Sequence, residues 1–171
     1  MLEIDVIIGD DISVFLPVFP LDSRFFDLLV TYSRDVLARN GVEKGECNIV
    51  FIGDSFMTEL NETYKGVPGT TDVLSFDLSD DLCRGDSASR PYSGGFRGLP
   101  RFCGEVYISL SRAKAQAEEQ GVPFDEEVIR LVTHGLLHLA GFVHDTEDAN
   151  AAMTVKTEEL VKAFFSGGVQ R

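Results

Sequence analysis

All three histidines of the chain fall inside one stretch of eleven residues, from His134 to His144. His134 and His138 are four residues apart, so on a helix their rings lie one turn apart on the same side. Gly141 follows three residues later and permits a turn that brings His144 back towards the other two. Neutral imidazole binds zinc, nickel, copper and iron. The spacing therefore predicts a helix that carries a metal site made of three histidines.

The residues before the histidines predict where this helix begins and which side it buries. Asp125 is expected to cap it, with Glu126 and Glu127 in the first turn, where carboxylates favour the positive end of the helix dipole. Apolar residues then recur at helical spacing, namely Val128, Ile129, Val132, Leu136 and Leu139. We expect this stripe to pack on the core, with the histidines on a neighbouring face.

The rest of the chain alternates between strand-like and helix-like segments. Strands are predicted at 2–8, 47–52, 71–76 and 104–109, and further helices at 23–40, 55–64, 111–120 and after Thr146. This pattern predicts one α/β domain over 1–171, with a small mixed sheet of about four strands and about five helices. Residues 79–103 differ in composition, being rich in Gly and Arg, and are expected to form a loop or flap.

Composition excludes several classes of protein. Apolar residues make up 44% and charged residues 25% of the chain, which is typical of a globular domain. No apolar run approaches the eighteen or so residues of a membrane span, and the first residues lack the features of a signal peptide, so we expect a cytoplasmic protein without a membrane partner. Cys47, Cys83 and Cys103 are widely spaced and include no CxxC pair, which argues against a disulfide framework or a thiolate zinc site.

The formal net charge of −13 opposes binding to a nucleic acid, since such binding normally depends on Lys and Arg at phosphates. One segment has a net positive charge instead. Residues 84–101 contain four arginines and one aspartate, with Tyr92 and Phe96 between them. Arginine with glycine and aromatic residues is a plausible surface for RNA, and a solvated loop is the alternative. Arg97 and Arg101 are the candidate RNA contacts.

The histidine spacing matches the HExxHxxGxxH motif of zinc proteases. Three protein ligands leave a fourth position open, as in catalytic rather than structural zinc sites. However, Gly135 stands where those proteases carry the glutamate that acts as general base, and glycine cannot move a proton. Peptide hydrolysis by that route is therefore disfavoured, and a metalloprotease without its glutamate is the weakest of the readings.

The motif HGLLHLAGFVH resembles the HGxLHLxGYDH signature of the YbeY family of single-domain, metal-dependent endoribonucleases linked to ribosomal RNA maturation. Three further segments, Leu60-Asn61, Tyr64-Lys65-Gly66 and Thr71 to Phe76 (TDVLSF), resemble the family's LN, YRG and TDVLSF segments, and Gly104-Glu-Val resembles its GDI strand. The resemblance covers most of the chain from about Leu60 to Leu160, in family order.

The resemblance implies a zincin-like fold and a zinc ion, or another first-row transition metal, held once per chain by His134, His138 and His144. It also implies a catalytic role for Lys65, which stands where the family usually has an arginine and therefore lacks the bidentate fork of that side chain. Val143 stands where the family usually has an aspartate, so any role of that carboxylate is in doubt, although Asp145 is nearby.

The implied function is a single-strand-preferring, metal-dependent endoribonuclease acting in ribosomal RNA maturation. Zinc would activate water and act as a Lewis acid on the phosphodiester. Its partners would be an rRNA precursor and the ribosome or a ribosomal protein. The alternative is a ribosome-associated metal-binding factor without catalysis. The candidates for a general base are Asp72, Glu105, Asp145 or the activated water itself, and none of them is singled out.

Overall fold

The structure is a computed structural model that describes residues 1–9, 22–78, 103–142 and 146–167. The predicted loop or flap at 79–103 therefore lies outside the described residues, apart from the backbone of Cys103 at its end. Within the described segments, none of the helices combines the length and the apolar character needed to cross a membrane.

The sheet has four strands: β1 (Leu2–Ile8), β2 (Gly45–Ile52), β3 (Val73–Asp77) and β4 (Cys103–Ser109). Their spatial order is β1-β2-β4-β3. The β1–β2 and β2–β4 pairs are parallel, whereas β3 runs antiparallel to β4 and forms an edge of the sheet. The prediction of a small mixed sheet is confirmed. The antiparallel edge strand β3 is the strand nearest to the two histidines His134 and His138.

Five helices are described: α1 (Ser23–Arg39), α2 (Asp54–Lys65), α3 (Leu110–Gln120), α4 (Phe124–Leu139) and α5 (Glu147–Ser166). Side-chain caps begin three of them, because Asp22, Ser109 and Thr146 each accept a hydrogen bond from a backbone N–H in the first turn. The predicted cap Asp125 is wrong: Pro123 is the N-cap of α4, and Asp125 lies one residue inside the helix. The fixed φ of proline suits a helix start, and the three carboxylates of the first turn favour it electrostatically.

The two faces of the sheet carry separate cores, because side chains alternate along each strand. The larger core joins α1, α4 and α5 to one face through Ile49 and Phe51 of β2 and Val106 and Ile108 of β4. The smaller core covers the opposite face, where Met57 of α2 packs with three strand residues, Val50, Ile52 and Leu74. Consequently α2 and α4 lie on opposite faces of the sheet.

Candidate metal centre

The two histidines of α4 direct the same ring nitrogen towards one point. His134 Nε2 and His138 Nε2 are 3.2 Å apart, and the planes of the two rings are nearly perpendicular at 82°. Two nitrogens that each bind one tetrahedral zinc ion at about 2.1 Å are separated by about 3.4 Å. The observed separation is therefore close to that of two ligands sharing one ion, as the spacing along the helix predicts.

A backbone carbonyl orients the second of these rings. Nδ1 of His138 lies 3.0 Å from the carbonyl oxygen of Phe142. A carbonyl only accepts hydrogen bonds, so Nδ1 donates its proton and Nε2 keeps a lone pair. This arrangement, with one ring nitrogen bonded to the protein and the other left for the ion, is the usual one for a metal-binding histidine.

The turn after α4 places that carbonyl. Gly141 has a left-handed backbone with φ of 92°, and its N–H donates to the carbonyl of His138 at 2.9 Å. The N–H of Phe142 then donates to the carbonyl of Leu137 at 3.0 Å, which folds the chain back over the last helical turn. The turn expected at Gly141 is confirmed. Its described role is to bring Phe142 to His138.

Gly135 lets α4 approach the sheet closely. A Cβ atom built on Gly135 would lie 2.5 Å from Cγ1 of Val106 and 3.4 Å from Cγ2 of Val73. Glycine is therefore required at this position by packing, and a larger side chain would push the helix away from β3 and β4. Gly135, which cannot act as a base, therefore also sets how near the histidines lie to the edge strand β3.

A cavity of about 590 Å³ connects the histidines with Lys65. We call it the first cavity, and among the described residues its polar lining comes from Lys65, Thr71, Asp72, Ser75, Asp77, His134 and His138. Lys65 ends α2 on one face of the sheet, while the histidines lie on α4 on the other, and they meet around β3. Sequence reasoning had paired Lys65 with the histidines only through the family resemblance.

Asn61 holds the turn that follows Lys65. Its side chain is 6% exposed, and its Nδ2 donates to the carbonyls of Val67 at 3.1 Å and Gly69 at 2.9 Å. Gly66 begins this turn in the left-handed conformation, with φ of 67°. The amide of Asn61 thus fixes the path from α2 to β3, and with it the position of Lys65 at the cavity.

Asp72 lies at the start of β3 with both carboxylate oxygens hydrogen-bonded. Oδ1 accepts from the N–H of Val73 at 2.9 Å and from the hydroxyl of Thr71 at 3.1 Å, and Oδ2 accepts from Nε2 of Gln116 at 2.9 Å. These bonds tie the strand to α3. They favour the interpretation of Asp72 as a turn-stabilising side chain over that of a base, since three hydrogen bonds already hold its carboxylate in place.

Glu105 lies on the other face of the sheet from the histidines. It pairs with Phe76 in the β3–β4 register, and its carboxylate accepts hydrogen bonds from Asn48 at 3.3 Å and from the hydroxyl of Tyr107 at 2.8 Å. Burial is the largest cause that raises the pKa of Tyr107 to about 12, followed by the hydrogen bond to Glu105. Glu105 is therefore excluded as a base acting beside His134.

Several predicted residues lie outside the described part of the chain: the third proposed ligand His144, the candidate base Asp145, and the candidate RNA contacts Arg97 and Arg101. Within the described residues, no group of three histidine, cysteine or acidic side chains is arranged to hold a metal ion.

Two cavity residues escaped the sequence reasoning, Ser75 and Asp77. The alternation of β3 contained the signal for both, because they share a side of the strand with Val73, which packs against α4. Only the position of α4 reveals that this side faces the histidines.

Comparisons with known proteins show which family and which fold this chain resembles. The family model for endoribonuclease YbeY matches residues 22–165. An endoribonuclease YbeY from Pelotomaculum thermopropionicum is 35% identical, over 82% of this chain and 87% of that protein. One from Roseiflexus sp. is 40% identical, over 69% of each chain. The solved structure of TM1509 from Thermotoga maritima covers 98% of this chain and 91% of its own, with a TM-score of 0.58 and 21% identity, and so has a similar fold.

Proposed function

Because the chain belongs to the endoribonuclease YbeY family, we propose that it is a metal-dependent endoribonuclease that prefers single-stranded RNA and acts in the maturation of ribosomal RNA. The observation that carries this proposal is the first cavity, which is lined both by Lys65 and by two histidines whose Nε2 atoms are 3.2 Å apart. Such a cavity combines a place for a cation with a fixed positive charge, and both favour a phosphodiester.

The metal would be held by His134 and His138 together with His144, which follows Gly141 by three residues in the sequence and is the third ligand that the family resemblance implies. Zinc is the first candidate, and another first-row transition metal is compatible with imidazole ligands. When bound, such an ion supplies positive charge to a phosphoryl oxygen and makes a water molecule more acidic. The carbonyl of Phe142 supports the site by keeping the proton of His138 on Nδ1.

Lys65 would stabilise the negative charge that grows on the phosphoryl oxygens during cleavage. Lys65 is exposed at the end of α2 and lines the cavity, so its charge avoids the cost of complete burial. Compared with arginine, lysine supplies a single point charge rather than a fork with two donors. We expect it to bind a phosphate oxygen in more than one orientation.

Arg97 and Arg101 of the 79–103 segment are the proposed RNA contacts. Local basic charge is needed there because the chain as a whole carries −13. Because this net charge opposes binding to RNA, we expect a second component, the ribosome or a ribosomal protein, to be part of the substrate in the cytoplasm. Replacing both arginines by glutamate should weaken RNA binding and reduce its dependence on salt.

Gly135 argues against peptide hydrolysis on steric grounds as well. A glutamate there would need its Cβ where Val106 already lies, 2.5 Å away. The protease mechanism therefore lacks both its base and the space for one.

The decisive experiment combines metal analysis with cleavage of fluorescent single-stranded RNA. Wild-type protein loaded with zinc should bind about one ion per chain and cut RNA, and His138→Ala should lose both properties. A folded His138→Ala variant that still cut RNA at the wild-type rate would refute the proposal. Metal binding without RNA cleavage under any loading condition would instead support a non-catalytic, ribosome-associated factor. A casein substrate tests for protease activity in the same series.

A further inference from the structure

A second cavity of about 240 Å³ lies on the other side of His134. It shares His134, Asp72 and Val73 with the first cavity, so the two adjoin at the proposed metal centre. Its remaining polar lining comes from Arg130 on α4 and from Thr154, Thr157 and Glu158 on α5. Any molecule in this second cavity would be next to whatever reacts beside His134.

Thr157 lines this cavity and has a buried hydroxyl. The residue is 4% exposed, and its Oγ1 has no hydrogen-bond partner within the described residues. A buried hydroxyl without a partner lowers stability, and a valine of nearly the same shape would avoid the loss. The hydroxyl thus has an unused hydrogen bond, which a polar ligand in the adjoining cavity would complete.

The charges around the cavity exclude a phosphate. The guanidinium of Arg130 is engaged by three carboxylates, at 2.6 Å from Glu127, 2.6 Å from Glu158 and 3.1 Å from Glu126. Glu127 is only 2% exposed, so the guanidinium is committed to balancing a buried charge. Of these three carboxylates only that of Glu158 lines the cavity, and Asp72 adds a second, so two carboxylates against one guanidinium leave this wall negative. A neutral ligand that donates hydrogen bonds fits such a wall, whereas an anion is repelled.

The size of the cavity further limits the kind of ligand that it can hold. At about 240 Å³ it is smaller than the roughly 300–1,000 Å³ pockets that hold drug-sized ligands. One nucleobase is a ligand of suitable size and is uncharged. Adenine, cytosine and guanine carry amino groups that donate to carboxylate or hydroxyl oxygens, and uracil carries none.

We propose that the second cavity binds the base of a nucleotide next to the cleaved phosphodiester, and that the hydroxyl of Thr157 and the carboxylate of Glu158 favour bases with an amino group over uracil. This inference rests on the proposed endoribonuclease function. It adds a determinant of sequence preference, located on α5 rather than on the histidine helix.

The kinetic test uses short RNAs of uridine that carry a single A, C or G at each position in turn, with cleavage sites read by sequencing. Wild-type protein should favour an amino-bearing base at one position beside the cut. Thr157→Val should lower that preference about tenfold, the loss expected for one hydrogen bond in a buried site. Thr157→Ser keeps the hydroxyl and should keep the preference. Thr58→Val on α2 is the matched control and should behave as wild type.

A binding test separates this inference from the proposed function. The methyl resonance of ¹³C-labelled Thr157 is followed while cytidine or uridine is added at millimolar concentration. Cytidine should shift the resonance at lower concentration than uridine does. An unchanged base preference in folded Thr157→Val, or no shift with any of the four ribonucleosides, would overturn the inference. If wild-type protein cuts no RNA but cytidine still shifts the Thr157 resonance, the catalytic proposal fails while the base-binding cavity stands.

Discussion

The side chain of Val106 fills the space that any residue other than glycine would need at position 135. The Cβ of an alanine there would lie 2.5 Å from Cγ1 of Val106 in its present position. The contact joins the histidine helix to the central part of the sheet, where Val106 is fully buried. The spacing between α4 and β4, and hence the position of both histidines, depends on this one pair.

Gly135→Ala should therefore destabilise the protein, although alanine is the better helix former. We expect a loss of about 1–3 kcal/mol in the free energy of unfolding, as for other overpacked cores. Chemical denaturation measures it. In the double variant Gly135→Ala/Val106→Ala, the smaller side chain makes room for the new methyl group, so the two losses should not add. Simple additivity would mean that the contact does not limit the packing.

Lys65→Ala should lower kcat for RNA cleavage by about tenfold to a hundredfold, because the growing charge on the phosphate loses a nearby cation. Lys65→Arg should retain most of the activity, since it keeps the charge and adds a second donor. Steady-state kinetics on single-stranded RNA measures both. Lys44→Ala removes an equally exposed lysine outside the first cavity. Equal kcat values for Lys65→Ala and Lys44→Ala would remove Lys65 from the mechanism.

Asn61→Ala should reduce both activity and stability. The variant leaves the carbonyls of Val67 and Gly69 without their donor and releases the turn after Lys65. We expect the free energy of unfolding to fall by about 1–3 kcal/mol. We also expect a lower kcat, even when it is measured well below the unfolding temperature.

Asn40→Ala provides the control for Asn61→Ala. It removes a comparable bond, from Nδ2 of Asn40 to the carbonyl of Val36 at 2.7 Å, at the end of α1. It should cost stability without affecting kcat. A loss of kcat that is the same in both variants would show that Asn61 acts only through overall stability.

Tyr32 should make the protein less stable in alkali. Its hydroxyl lies 2.6 Å from that of Thr133, which donates to the carbonyl of Ile129, so Tyr32 must be the donor. Burial is the main cause that raises the pKa of Tyr32 from 10.0 to about 12. Between these two values the unfolded chain has lost a proton that the folded chain retains. Stability is therefore complete below pH 10 and falls as the pH rises towards 12.

Urea denaturation between pH 8 and pH 11 measures this effect. Above pH 10 the free energy of unfolding should fall with rising pH in the wild type. It should fall less steeply in Tyr32→Phe, because phenylalanine has no proton to lose. The same variant should cost about 1 kcal/mol at pH 8, where it loses only the hydrogen bond. Identical slopes would show that Tyr32 does not contribute to alkaline unfolding.

Local signals predicted most elements of the fold, because caps and left-handed glycines act within a few residues. Gly141 behaves as its sequence context indicates. Asp125 does not, since Pro123 two residues earlier already begins the helix. The order of the strands depends on contacts between distant residues, and no local signal revealed that β3 lies at the edge.

The site was only partly visible in the sequence for the same reason. The paired histidines follow from helical spacing, which is local. The meeting of Lys65 with His134, the close packing of Gly135 on Val106 and the second cavity around Thr157 all depend on tertiary packing. Helical spacing alone places Arg130 one turn before His134. It does not reveal all three carboxylate partners of Arg130, because one of them is Glu158 from α5.

Two separate cores support the two halves of the first cavity. Met57 anchors α2, and therefore Lys65, to one face of the sheet, whereas Val132 and Leu136 anchor the histidine helix to the other. A peptide that contains α4 alone would retain both ring nitrogens but would have no lysine beside them. Cleavage activity during refolding should therefore report the final docking of both layers, later than any signal from helix formation. In laboratory evolution, each half can also be repacked without disturbing the interior that holds the other.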